Sequence, residues 1–275
     1  MDDTAERLAC FRQAHRPQHR IIADRTWSLI GSGSGGDAVF ILPGAGSTGE
    51  LGAGLMFPVS SALEKHHRVI SIGYPAEART VSEIVEGLHC IADAENIRTV
   101  SVVGHSLGAL FGKCFTQTYP DRVRSLILAN FADPSPSHAR RLKFLLRITI
   151  ALPQRLSVRI VKSQIRRLLK DCPDRFWVSY LTGTEADTSL KHIGNQYRCM
   201  LDFLNRWPPK AWAGPVLILE SVQERIGAPE RRALRALYAN AKVHVFHGAG
   251  HLSWITHGRE FIETVEDFLT RHGAP

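Results

Sequence analysis

The chain has 275 residues, 44% of them hydrophobic and 22% charged, which suits one large globular domain with a full core. No apolar run approaches the ~18 residues a membrane span needs, and the acidic, polar start Met1-Asp2-Asp3-Thr4-Ala5-Glu6 is unlike a secretory signal. The net charge of +8 is local: residues 139–170 carry ten basic residues and no acid, so the remainder of the chain is net −2.

In chain order, short β-type runs alternate with helical patterns, the signature of a mainly parallel sheet covered by helices. Residues 21–23 and 26–30 read as a leading hairpin, and Gly31 to Gly36 as a flexible loop. Further strands are expected at 39–42, 69–72, 100–103, 125–128, 216–219 and 243–246. Helices are expected at 51–65, 81–94, 107–118, 229–238 and 259–271. The alternation breaks once, over about 84 residues before Val216, too long for a simple crossover. The expected fold is therefore α/β, with about eight mostly parallel strands flanked by helices. Residues 1–130 and 215–275 form the core and 131–214 an inserted helical lid.

Gly44-Ala45-Gly46-Ser47-Thr48-Gly49 matches the dinucleotide fingerprint G-x-G-x-x-G after a strand. A dinucleotide site also needs an acid about 20 residues on, at the end of the next strand. That region reads Val69-Ile70-Ser71-Ile72-Gly73-Tyr74-Pro75, without one. No nucleotide, metal or other cofactor is expected.

Gly104-His105-Ser106-Leu107-Gly108 fits better. It is G-x-S-x-G between a strand and a helix, a turn so tight that flanking side chains would clash, leaving Ser106 as a raised nucleophile. A serine needs a base. Among 13 histidines, His251 in Gly248-Ala249-Gly250-His251 follows the last strand, at the sheet edge where Ser106 should lie. His105 should point away across the elbow. The orienting acid should follow the strand at 216–219: Glu224 is the first choice, with Glu220 and Asp133 open as rivals. Backbone N–H groups of Ala45 and Leu107 are placed to hold an oxyanion.

The elbow at Ser106, the strand followed by Glu224, and the late Gly-x-x-His ending at His251 resemble the α/β-hydrolase superfamily over nearly the whole chain. The chain departs at Pro43-Gly44, where many members have His-Gly, and at Ser221 and Glu224, where many have Gly and Asp. Phe11-Arg12, Ile21-Ile22-Ala23-Asp24, Trp27-Ser28-Leu29, residues 125–130 and Leu237-Tyr238-Ala239-Asn240-Ala241 are similar to maspardin-like proteins, in which the fold serves partner binding. The resemblance implies a serine hydrolase of esters or thioesters. The alternative is a non-catalytic binding protein.

From Gln154 to Lys170, basic residues recur at helical spacing beside the apolar stripe Val158, Val161, Ile165 and Leu168. Such a face suits an acidic carrier protein, coenzyme A or an anionic lipid surface. No reading module accompanies it, so nucleic acid is not expected. Five scattered cysteines suggest free thiols in a reducing, cytoplasmic setting.

Overall fold

A computed structural model describes residues 3–170, 172, 174–223 and 227–273. Helix α1 (Asp3–Ala14) leads into the antiparallel hairpin of β1 (Gln18–Ile22) and β2 (Arg25–Ser32). Then come β3 (Ala38–Leu42), α2 (Gly49–Leu55), α3 (Phe57–Leu63), β4 (Arg68–Gly73), α4 (Val81–Ala94), β5 (Val100–His105), α5 (Leu107–Thr118) and β6 (Val123–Ala129). Five helices follow among the described residues: α6 (Pro136–Ala151), α7 (Gln154–Leu168), α8 (Arg175–Thr182), α9 (Thr184–Leu190) and α10 (Ile193–Arg206). The chain closes with β7 (Val216–Ser221), α11 (Ala228–Leu237), β8 (Lys242–Phe246), α12 (Ser253–Thr256) and α13 (Gly258–Arg271).

The eight strands form one sheet in the order β1-β2-β4-β3-β5-β6-β7-β8, parallel from β4 onward. The inner strands are apolar on both faces, as a sheet covered on both sides requires. Phe40 and Leu42 of β3 pack into one core with Ile84 and Leu88 of α4 and Phe111 of α5. Val39 and Ile41, pointing the other way, join Phe57 of α3 and Phe261 and Val265 of α13.

The chain leaves β3 for β4 on one side and returns to β5 on the other. The carboxyl ends of β3 and β5 therefore flank the point where the connections diverge, the crevice in which open α/β sheets bind ligands.

Three expectations need correction. The helix expected at 51–65 is two helices: Met56 separates them, and Pro58, which has no N–H to continue the ladder, sits in the first turn of α3. Gly31 and Ser32 lie in β2, paired with Ile70 and Val69, and are not loop. Helix α1 was not foreseen; it buries only Leu8 and Phe11 and has no strong apolar stripe. Among the described residues no helix is long and apolar enough to cross a membrane. All five cysteines are free thiols.

Candidate active site

Ser106 stands between β5 and α5 with φ 53° and ψ −113°, a left-handed conformation that costs a non-glycine residue of order 1–3 kcal/mol. The turn holds because its neighbours fit nothing larger. A Cβ on Gly104 would lie 2.6 Å from the Ala109 Cα, and one on Gly108 would collide with the Leu42 carbonyl. The Ser106 amide donates to the Ala129 carbonyl at 2.9 Å, pinning the elbow to β6.

His251 lies 145 residues further on, in the loop after β8, and its Nε2 is 3.0 Å from Ser106 Oγ. Two residues that sequence reasoning did not select hold this loop. His105 Nε2 donates to the His251 carbonyl at 2.8 Å, so His105 does not point away from the candidate site but braces the His251 loop. Asn130 has a left-handed backbone, φ 50°. Its amide donates to Ser221 Oγ at 3.1 Å and to the Gly250 carbonyl at 3.3 Å, and its Oδ1 accepts from Ser253 Oγ at 2.7 Å. Asn130 thus grips the chain on both sides of His251. Replacing it by Ala is expected to lower kcat by up to about 10², the order of loss a displacement of ~1 Å produces, with KM little changed. Steady-state kinetics on a soluble ester checks this.

The glycine loop after β3 sits against the elbow: a Cβ on Gly44 would lie 3.5 Å from the Ser106 Cβ. Gly46 and Gly49 have φ of +87° and +58°. The segment between β6 and β7 fixes the loop. Gly46 N donates to Gln196 Oε1 at 2.6 Å and Thr48 N to Ser189 Oγ at 2.8 Å, while Ser189 Oγ reaches the Gly46 carbonyl at 2.6 Å. Ala45 is the exposed residue between buried neighbours.

Ala45, Leu107, Ser106 and His251 border a cavity of about 180 Å³. Much of the remaining wall is apolar, with Leu110 and Phe131 from the core and Leu142, Met200, Phe203 and Leu204 from α6 and α10. His138 and Glu230 close one side, with Nδ1 and Oε1 3.6 Å apart. A hydrogen bond from the Ser135 side chain holds the Glu230 carboxyl below the usual carboxylate range.

Of the three candidate acids, Glu224 lies outside the described residues. Glu220 is buried at the end of β7, clasped by Arg235 Nε and Nη2 at 3.0 and 2.7 Å and flanked by Arg231 Nε at 3.5 Å. Asp133 receives the buried Lys113 ammonium at 2.6 and 2.7 Å. Both rivals are committed to cations.

A second serine–histidine–carboxylate row occurs elsewhere. His19 Nδ1 is 3.1 Å from Ser28 Oγ and its Nε2 is 2.9 Å from Glu50 Oε1, beside a larger cavity of about 630 Å³. Ser28, however, lies within β2, an inner strand with β1 and β4 on either side, not at a helix N-terminus. That position lacks the turn that presents amides to a developing oxyanion, so the row reads as structural.

The α/β-hydrolase family model matches residues 39–264. The chain belongs to the alpha/beta hydrolase family. The chain is 29% identical over 116 residues to a putative carbamate hydrolase, RutD, of Azorhizobium caulinodans, a match spanning 39% of the chain and 41% of that relative's length. Its fold resembles the enol-lactonase of Burkholderia xenovorans LB400, with a TM-score of 0.74 at 17% identity over 92% of this chain and 100% of the other. It also resembles a carboxylesterase of Bacillus subtilis, with a TM-score of 0.69 at 17% identity over 96% and 98%.

Proposed function

We propose that this α/β hydrolase is a serine esterase or thioesterase working through an acyl-enzyme. The observation that carries the reading is the 3.0 Å contact between His251 Nε2 and Ser106 Oγ at a strained strand-to-helix turn. His251 takes the Ser106 proton as the oxygen attacks the acyl carbonyl. The N–H groups of Ala45 and Leu107 hold the tetrahedral oxyanion; losing one such donor costs about 10²–10³ in rate. His251 then returns the proton to the departing alcohol or thiol. Water, or a nucleophile within the acyl chain, releases the product by the same steps in reverse.

Residues 131–214 serve as the lid. Leu142, Met200, Phe203 and Leu204 give the acyl pocket its apolar wall, and a space of about 180 Å³ favours a short acyl group. A putative carbamate hydrolase, an enol-lactonase and a carboxylesterase are named for cleavage at an acyl carbon, which agrees with this chemistry, while an epoxide hydrolase of Vigna radiata shares the fold. Free thiols fit a cytoplasmic enzyme.

Glu224 is the proposed third member, orienting His251 and stabilising its charged form. The support is by exclusion, since Glu220 and Asp133 are bound to arginine and lysine. Glu224→Gln should lower the hydrolysis of p-nitrophenyl acetate and a matched thioester by roughly 10³–10⁴, as loss of the orienting acid does in serine hydrolases. Glu220→Gln should instead lower the melting temperature and leave kcat in the wild-type range at temperatures where it is folded. The opposite pattern would move the acid to Glu220.

The maspardin-like resemblance supports a competing reading, a binding protein with no turnover. The Ser106–His251 contact favours the enzyme, because a binding role gives no reason to keep a base at hydrogen-bond distance from a strained serine.

A further inference from the structure

We infer that the outer face of α6, continued at the start of α7, docks on an anionic lipid bilayer. Four of the large apolar side chains exposed among the described residues fall in one short stretch: Phe144 at 64%, Leu145 at 48%, and Ile148 and Leu156 at 44% each. Phe144 and Ile148 stand one turn apart on the exposed face of α6. Arg140 and Arg147 lie to one side of them and Arg141 to the other, all exposed. Arg155 and Arg159 are exposed on α7, whose first turn is tied to α6 by Ser157 Oγ donating to the Thr149 carbonyl at 2.9 Å. No acidic residue occurs between 139 and 170.

This pairing of groups selects the partner. An acidic protein surface would meet the arginines and leave Phe144 and Ile148 against charge. A bilayer accommodates both: apolar side chains enter below the headgroups while guanidinium groups stay at the phosphate level. Each basic residue near such a surface contributes about 1 kcal/mol, roughly fivefold in binding.

The opposite face of α6 supplies Leu142 to the cavity beside Ser106. Docking therefore sets the acyl pocket one helix away from the bilayer, so its substrate is an acyl ester or thioester held at the membrane. That consequence rests on the proposed hydrolase chemistry; the docking itself does not.

Flotation of the full chain with vesicles of phosphatidylcholine, and of phosphatidylcholine mixed with phosphatidylglycerol, tests the inference. The wild type should bind the anionic vesicles at least about tenfold more strongly, and salt should weaken the binding. Replacing Arg140, Arg141 and Arg147 together by Glu should reduce it by at least about 100-fold. Phe144→Ser with Ile148→Ser should reduce it by about tenfold or more. Both variants should keep wild-type turnover of a soluble short ester. Equal binding to the two vesicle types, or none, would overturn the inference. So would full binding by the Phe144/Ile148 variant, a concentration-dependent dimer that covers this face, or capture of an acidic carrier protein without any vesicle binding. Vesicle binding by Ser106→Ala separates the two claims: if it persists while the wild type turns over no ester, the docking stands and the hydrolase chemistry fails.

Discussion

Ser106→Ala and His251→Ala should each reduce ester turnover by on the order of 10⁴-fold or more, and the double variant should be little worse than either single one. Nucleophile and base act as a unit, so removing one leaves the other nothing to do, and the losses do not add. Residual rate in all three should come from the oxyanion donors and pocket alone. Folding should be unaffected for Ser106→Ala. Relief of the left-handed strain does not follow, since Ala at φ 53° is strained as Ser is. The measurement is kcat/KM on one soluble ester for the wild type, both single variants and the double. Additive losses would mean that the two residues work independently.

Lys113→Met should destabilise the protein by about 3–5 kcal/mol, the usual cost of breaking a buried ion pair and leaving one charge alone. Lys113 is fully buried on α5, the helix that follows Ser106, and its ammonium sits 2.6 and 2.7 Å from the two Asp133 oxygens. The same ammonium lies 5.6 Å from the centre of the Phe203 ring on α10. The pair therefore joins α5, the exit from β6 and α10, which lines the cavity. Lys113→Met combined with Asp133→Leu should recover most of the loss, because an apolar pair of similar volume leaves no charge to solvate. Thermal melts of the three variants check this. The single change should lower Tm by roughly 6–20 °C. An equal fall in the double variant would show that the site needs the charges themselves.

The elbow was legible in the sequence because its signature is local, a strand, G-x-S-x-G and a helix in one run. Gly104 is confined by Ala109 of the same turn, whereas Gly108 is confined by the Leu42 carbonyl of β3, a contact that local spacing does not show. The inner strands were legible for a similar reason, since a strand buried on both faces is a continuous apolar run. The glycines at Gly44 to Gly49 that match a dinucleotide fingerprint allow left-handed turns and close approach to the elbow, where Gln196 and Ser189 of the segment between β6 and β7 bind the loop. His105 and Asn130 were not legible as parts of the site. Their partners at His251 and Gly250 are 146 and 120 residues away, and nothing in local spacing announces a brace made across the sheet edge. Nor could spacing rank the acids. Glu220 is a poor candidate because Arg235, 15 residues on in α11, holds its carboxylate.

The central claim is that Ser106 is a nucleophile activated by His251. Its most direct test is labelling of the folded protein with a fluorophosphonate, followed by mapping of the modified peptide. The account predicts a phosphonyl adduct on Ser106 that is lost in His251→Ala. No adduct on folded wild-type protein, or an adduct on Ser28 with Ser106 unmodified, would contradict it.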